Sequence, residues 1–160
     1  MRARMAVWIA SALTLTAIAL TTSTAQADPN DSQRLRGLGG RSFIVQVVVT
    51  ASVVGPFPVG AEFENCYSFN ADGTFADEKY SLLFGPVAAG NWAQDSNGAE
   101  TAYSASVAGA GGALLVQNGI VTPAHGSGVL QLSAQSEVLV GATQLIAVTA
   151  SGHQAPSCAS

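Results

Sequence analysis

The run Cys66-Tyr67-Ser68-Phe69-Asn70-Ala71-Asp72-Gly73-Thr74-Phe75 decides the fold, and Gly90-Asn91-Trp92 follows it after a short interval. Asp-Gly is a favoured pair for a two-residue hairpin turn, because both central positions of that turn need positive φ. The run therefore predicts two antiparallel strands joined by a tight turn at Asp72-Gly73.

The residues before this turn alternate in polarity along a predicted strand, Glu62–Asn70. One face carries Phe63, Asn65, Tyr67 and Phe69, and the other carries Glu62, Glu64, Cys66 and Ser68. A period of two with this contrast is typical of a half-buried strand. We expect the aromatic face to lie in the core and Cys66 to point outward.

Seven further segments have β character and are separated by glycine-rich turns. They are Ser42–Val54, Thr74–Phe84, a segment around Gly90–Trp92, Glu100–Val107, Ala113–Gln117, Gly128–Ala134 and Ala142–Ser151. Asn118-Gly119 is predicted to be a second turn pair, and no segment has convincing helical periodicity. Short links between many strands favour an antiparallel meander. The sequence thus predicts an all-β fold, an antiparallel eight-stranded up-and-down β-barrel, with a β-sandwich as the alternative.

The first 27 residues have the features of a signal peptide. Arg2 and Arg4 precede the apolar run Ala6–Leu20, and Ala25-Gln26-Ala27 matches a small-residue cleavage site. An apolar run of about 15 residues is short for a membrane span, which takes about 20, so a retained anchor is the less favoured alternative. We expect residues 28–41 to form a flexible arm and residues 42–160 a single barrel domain.

The charge balance argues against nucleic acid as a partner. The chain has 6 Lys and Arg and 10 Asp and Glu, and removal of Arg2 and Arg4 leaves 4 against 10, a net charge of −6. Phosphate contacts need clustered basic residues, but three of the four remaining cations, Arg34, Arg36 and Arg41, lie in the N-terminal segment, so the body of the domain is nearly free of cations. After cleavage we expect no stable membrane span, and the oligomeric state stays open.

Cys66 and Cys158 are the two cysteines of the chain. An even number of cysteines in an exported protein suggests a disulfide, with two free thiols as the alternative. Neither cysteine has other ligands at metal-binding spacing, so we expect no metal site there. If Cys66 points outward, the C-terminal tail must lap back over the outside of the sheet. The expected location is secreted or periplasmic.

The pattern Phe69-x-x-Asp72-Gly73-Thr74-Phe75 with Gly90-x-Trp92 resembles the short lipocalin-like, or calycin-type, β-barrel domains of exported bacterial proteins. The resemblance covers the part of the chain from Phe63 to Tyr103. It implies a barrel that is closed at one end by Trp92, with room for a cavity. In true lipocalins, however, the Gly-x-Trp pattern marks the first strand, whereas here other strands precede it. Trp92 as an ordinary core residue is the alternative.

The chain offers few candidates for catalysis, and we predict no cofactor. His125 and His153 are interpreted as solvent-facing loop residues, and neither a nucleophile elbow nor a phosphate-binding glycine loop is present. Glu62 and Glu64 lie about 7 Å apart on one strand face and are the alternative catalytic candidates. They share the predicted outer face with Cys66. The patch Asp77-Glu78-Lys79 is expected to be exposed.

Three hypotheses for function follow. The leading one is a small-molecule-binding barrel for an apolar or neutral ligand, lined by Tyr67, Phe69, Trp92 and Tyr103. The second is a barrel enzyme of cyclase or isomerase type, similar to allene oxide cyclase, which would use Glu62 and Glu64. The third is a surface or assembly protein, suggested by a charged content of only 10%.

Overall fold

The computed structural model describes residues 37–85, 89–97, 100–124, 126 and 128–158. The predicted signal peptide, most of the predicted arm and His125 lie outside the described residues. Eight strands, one α-helix and one 3₁₀ turn make up the described part. In chain order they are β1 (Arg41–Ser52), β2 (Glu62–Phe69), β3 (Phe75–Asp77), α1 (Glu78–Phe84), β4 (Ala89–Asn97), β5 (Glu100–Ala108), the 3₁₀ turn Ala110–Gly112, β6 (Ala113–Pro123), β7 (Leu130–Val140) and β8 (Thr143–Ala155).

All strand pairs are antiparallel, and the strands form one sheet in the order β3-β2-β1-β8-β7-β6-β5-β4. Because β1 pairs with β8, the meander curls into a nearly closed barrel. A seam remains between the short strand β3 and strand β4, where the isolated bridge between Thr74 and Asn91 joins the two edges. The predicted eight-stranded antiparallel barrel is confirmed, and the single sheet rules against two stacked sheets.

The barrel closes around a core because apolar side chains alternate along the strands. On β1, Phe43, Val45, Val47 and Val49 are buried, while the residues between them are more exposed. β7 shows the same period of two from Leu130 to Val138. Each strand therefore buries one face, as a small barrel filled by side chains requires.

The two ends of the barrel differ. We call the end that holds the start of β1 and the Asp72-Gly73 turn the lower end, and the end that holds the β1–β2 loop (residues 53–61) and α1 the upper end. Leu38 is 0% exposed at the lower end. Its backbone amide donates to Oε1 of Gln94 at 2.8 Å. The last residues of the predicted arm, 37–41, are thus packed onto the barrel, and Arg41 already belongs to β1.

The third predicted strand is wrong beyond Asp77, where α1 begins. The Asp77 side chain accepts a hydrogen bond from the backbone amide of Tyr80 at 2.9 Å and so caps the helix. An aspartate at this position satisfies an amide that has no partner within the helix. The cap is local chemistry that a search for strand alternation does not register.

The predicted turn at Asn118-Gly119 is also wrong, because β6 runs straight through it. Tyr103 of β5 is the register partner of Gly119, and its ring lies over the glycine. A Cβ on Gly119 would stand 2.6 Å from Cε1 of Tyr103. The glycine therefore permits close packing of an aromatic ring on the strand, which is one recognised use of glycine inside strands.

Among the described residues, no helix has the length and apolar character needed to cross a membrane.

Candidate functional site: a pocket at the upper end of the barrel

Three of the four residues predicted to bind a ligand form a packed aromatic cluster in the lower half of the barrel. The ring of Phe69, which is fully buried, lies 4.8 Å from that of Tyr103 and 5.6 Å from that of Trp92, centroid to centroid. Nε1 of Trp92 donates to the backbone oxygen of Asn70 at 3.0 Å. These rings fill the lower half, so the ligand role is proposed below for Tyr67 alone.

Tyr67 stands at the top of a line of buried polar side chains. The Tyr103 hydroxyl donates to Oε1 of Gln117 at 3.1 Å, and Nε2 of Gln117 donates to Oγ of Ser136 at 2.8 Å. Burial raises the pKa of Tyr67, and nearby Asp77 adds to the rise, while hydrogen bonds from Ser136 and Gln117 oppose part of it. Burial likewise raises the pKa of Tyr103. Both phenols are therefore neutral.

Asp77 faces the same interior space as Tyr67, because the two are register partners on β3 and β2. Oδ1 of Asp77 accepts hydrogen bonds from Nδ2 of Asn65 at 2.8 Å and from the amide of Tyr80 at 2.9 Å. Oδ1 of Asn65 in turn accepts from the amides of Cys66 at 2.8 Å and Lys79 at 3.0 Å. This network fixes the orientation of the carboxyl group.

The Asp77 carboxyl is only 4% exposed. Burial raises its pKa above the ordinary value for aspartate, and the hydrogen bonds from Asn65 and from the amides of Tyr80 and Lys79 oppose only part of that rise. Glu78 adds a smaller effect in the same direction as burial. The carboxyl is therefore held toward its neutral, protonated form, as expected for a carboxylic acid removed from water.

These polar groups form the floor of a pocket that opens at the upper end, and apart from Lys79 its other lining residues are apolar. The cavity has a volume of about 40 Å³. Apolar side chains from six elements and from the β1–β2 loop supply the walls and the mouth. They include Val49, Phe57, Phe63, Leu83, Leu115 and Val138. An apolar pocket with a few convergent polar groups is the usual composition of a small-molecule site.

Glu62 and Glu64, the alternative catalytic pair, are exposed on β2. Their strand positions alternate with those of Phe63 and Asn65, which contribute to the pocket, so both carboxylates lie on the outside of the barrel. This placement removes the observation that motivated the cyclase or isomerase hypothesis. His153 is exposed as predicted, but it lies in strand β8 and not in a loop. The described part of the chain contains no group of three metal-binding side chains.

The predicted disulfide between Cys66 and Cys158 is confirmed. The Cα atoms of the two residues are 5.6 Å apart, and Ser68 donates to Sγ of Cys158 at 3.0 Å. Since Asn65 and Tyr67 point into the barrel, Cys66 between them points outward. The tail after β8 therefore passes across β1 on the outside and joins β2, as the sequence predicted.

Asp77 is the functional candidate that the sequence analysis missed, because it was assigned to an exposed charged patch. The alternation Phe75 buried, Ala76 exposed, Asp77 buried places the carboxyl inside. The available indication was the position of Asp77, which is both the third residue of a strand and a favourable helix cap.

Comparison with protein-family models, with curated proteins and with solved structures found no match to this chain.

Proposed function

We propose that this protein is an exported, secreted or periplasmic, lipocalin-like barrel that binds a small, apolar or neutral molecule at the upper end of the barrel. The observation that carries the proposal is a buried carboxyl and phenol, Asp77 and Tyr67, at the floor of an apolar pocket that is open to solvent. Purely structural polar groups in a barrel core have no need of such an opening. Disulfide bonds are typical of proteins from oxidising compartments, which supports export.

The size of the pocket suggests how a ligand is seated. The cavity volume of about 40 Å³ is well below the about 300–1,000 Å³ of ordinary ligand pockets, so only a small head group can enter the barrel. Leu83 lines the pocket and is exposed, and Val53 and Val59 of the β1–β2 loop are exposed at the same end of the barrel. A ligand would place its head group in the barrel and its apolar remainder against this rim, which removes apolar surface from water.

The charge of the site favours a neutral ligand. If Asp77 is ionised, its carboxylate repels an anionic head group. A cationic head group would need Asp77 to be ionised, which costs the desolvation of a buried charge. A neutral head group meets neither penalty.

Two adjacent leucines on α1 offer a matched test. Leu83 contributes to the pocket and is 45% exposed, whereas Leu82 is 71% exposed and lies outside the pocket. We expect Leu83→Ser to weaken binding of an environment-sensitive apolar dye, N-phenyl-1-naphthylamine, by about 3- to 10-fold, since burying this side chain against a ligand is worth about 1 kcal/mol. Leu82→Ser should bind the dye as the unaltered protein does.

Absence of saturable dye binding to the unaltered protein would refute the proposal. Equal losses in both leucine variants would show that the dye adheres to the outside of α1 and would refute the assignment of the pocket.

A further inference from the structure

The barrel has a seam between β3 and β4, and α1 stands in the upper part of that seam. The two strands are the edges of the sheet, and the bridge between Thr74 and Asn91 joins them near the lower end. β3 ends at Asp77, where α1 begins, and β4 is the next element along the chain. Above the bridge, α1 therefore takes the place in the barrel wall that a longer β3 would fill.

The same helix forms one wall of the pocket. Lys79, Tyr80, Leu83 and Phe84 of α1 contribute to the lining, and strands of the barrel supply most of the rest. With α1 in this position the cavity has a volume of about 40 Å³. A displacement of α1 would therefore enlarge the cavity and open it along the seam.

A single buried side chain fastens α1 across the seam. Tyr80 is the one buried residue of the helix, at 2% exposed. Its hydroxyl reaches Gly109, which directly follows β5, because a Cβ on Gly109 would stand 2.7 Å from the Tyr80 oxygen. The next turn of the helix is held less well, since Leu82 and Leu83 are both exposed.

The Tyr80 hydroxyl has no hydrogen-bond partner among the described residues, although it is buried. The amide of Gly109 donates to the backbone oxygen of Ala113 at 2.8 Å instead. Burial raises the pKa of Tyr80, and the backbone of Leu115 and Gly109 opposes part of that rise without reaching hydrogen-bond geometry. A buried hydroxyl without a partner destabilises the arrangement that buries it, and it regains hydrogen bonds to water when that arrangement opens. The contact that fastens α1 is therefore weakened by its own polar group.

The start of α1, in contrast, is tied to β2 by hydrogen bonds. Oδ1 of Asp77 accepts from the amide of Tyr80 and from Nδ2 of Asn65, and Oδ1 of Asn65 accepts from the amide of Lys79. None of these bonds involves the side chain of Tyr80. The helix can thus move away from Gly109 while its first residues stay attached, as a hinge at the end of an element allows.

We propose that α1 is a lid on the pocket, hinged at Asp77 and fastened by the side chain of Tyr80 against Gly109, and that its displacement opens the seam to admit the ligand. The inference rests on the proposed function where it concerns ligand entry, whereas the opening of α1 is a property of the protein without ligand. A helix of seven residues has little stability of its own, so its contact with the barrel decides how often the lid is closed.

Amide hydrogen exchange, measured by NMR on the protein without ligand, tests the opening. The amides of Leu82, Leu83 and Phe84 should be about 100-fold or more less protected than those of β1, which is paired with β2 and β8 on its two sides. Their exchange should also respond little to low concentrations of denaturant, because a local opening exposes little surface.

Two substitutions should move the lid in opposite directions. Tyr80→Phe removes the unpaired hydroxyl and keeps the ring, so it should slow exchange in α1 by about 5- to 100-fold. Its control is Tyr103→Phe, which removes a hydroxyl that has a partner in Gln117 and should not slow this exchange. Gly109→Ala places a Cβ against the Tyr80 hydroxyl and should accelerate exchange in α1 by about 5-fold or more. Its control is Gly55→Ala, whose Cβ meets nothing within 4 Å, and this variant should stay within about twofold of the unaltered protein.

The rate of dye association tests whether the lid controls entry. Binding that waits for an opening reaches a limiting rate at high concentrations of N-phenyl-1-naphthylamine. Tyr80→Phe should lower this limiting rate and Gly109→Ala should raise it, whereas Gly55→Ala should leave it unchanged.

The outcomes separate the lid from the proposed function. Protection of α1 equal to that of β1 would overturn the lid, and so would exchange in α1 that neither Tyr80→Phe nor Gly109→Ala alters. A limiting association rate that is the same in all variants would overturn the role in entry and leave the binding pocket standing. Absence of dye binding would refute the pocket and ligand entry with it, while the exchange of the α1 amides would still decide whether the helix opens.

Discussion

Removal of the disulfide should destabilise the barrel by about 4–5 kcal/mol. Cys66 and Cys158 are separated by 92 residues in sequence, and cross-linking a loop of that length removes about 15.6 cal/mol/K of entropy from the unfolded chain, or about 4.6 kcal/mol at 25 °C. The bond also holds the tail against β2 on the outside of the barrel, where it covers Cys66. We therefore expect a large loss of stability with little change in the fold.

The experiment is denaturant unfolding of Cys66→Ala/Cys158→Ala, followed by circular dichroism and by Trp fluorescence. The denaturant concentration at the midpoint should fall. The slope of the transition should change only as far as the change in the unfolded state requires. Ser157→Ala, an exposed neighbour of Cys158, is the control and should stay within about 0.5 kcal/mol of the unaltered protein. A loss below about 1 kcal/mol in the double variant would contradict the loop-entropy reasoning.

Three further perturbations test the fold and the site. Leu38→Ala should lower the free energy of unfolding by about 2–5 kcal/mol, because Leu38 is fully buried at the lower end. A loss below about 1 kcal/mol in denaturant unfolding would show that residues 37–40 do not close the barrel. Gly119→Ala should cost about 1–3 kcal/mol because its Cβ would stand 2.6 Å from Tyr103, and the cost should fall in a Tyr103→Ala background; an undiminished cost would place its origin elsewhere. Asp77 has a raised pKa in the folded protein, so the folded state binds the proton more tightly than the unfolded state does. The free energy of unfolding should therefore fall as the pH rises from the ordinary aspartate pKa toward the raised one, by up to about 1.4 kcal/mol per pH unit. Unfolding curves of Asp77→Asn should lack this slope, and the same slope in both proteins would assign it to another group.

The sequence predicted the barrel well because strand alternation and turn chemistry are local. The alternating residues of β2 and Gly73 were sufficient for the first hairpin, but the predicted two-residue turn is wrong, because the connection spans residues 70–74 and only Gly73 of the pair has a positive φ. The outward face of Cys66 was sufficient for the path of the tail. These features depend on neighbours within a few residues, and tertiary contacts reinforce them.

The errors arose where a distant contact overrides a local preference. Gly119 looks like a turn residue until Tyr103, on the neighbouring strand, is seen to need the space above it. Leu38 follows a glycine and precedes two more, yet it is buried because the barrel end needs an apolar plug. Asp77 looks like one of three exposed charges, and only the partners Asn65 and Tyr67 on β2 show that it faces the core.

The most direct test of the central claim is a methyl NMR titration of the protein with 2-undecanone. Methyl resonances at the pocket, those of Val49, Leu83 and Val138, should shift in a saturable manner, whereas those of Leu130 and Val121 in the buried core beyond the pocket should stay fixed. Shifts confined to residues on the outer face of the barrel, or no saturable shift at all, would contradict a ligand site at the upper end.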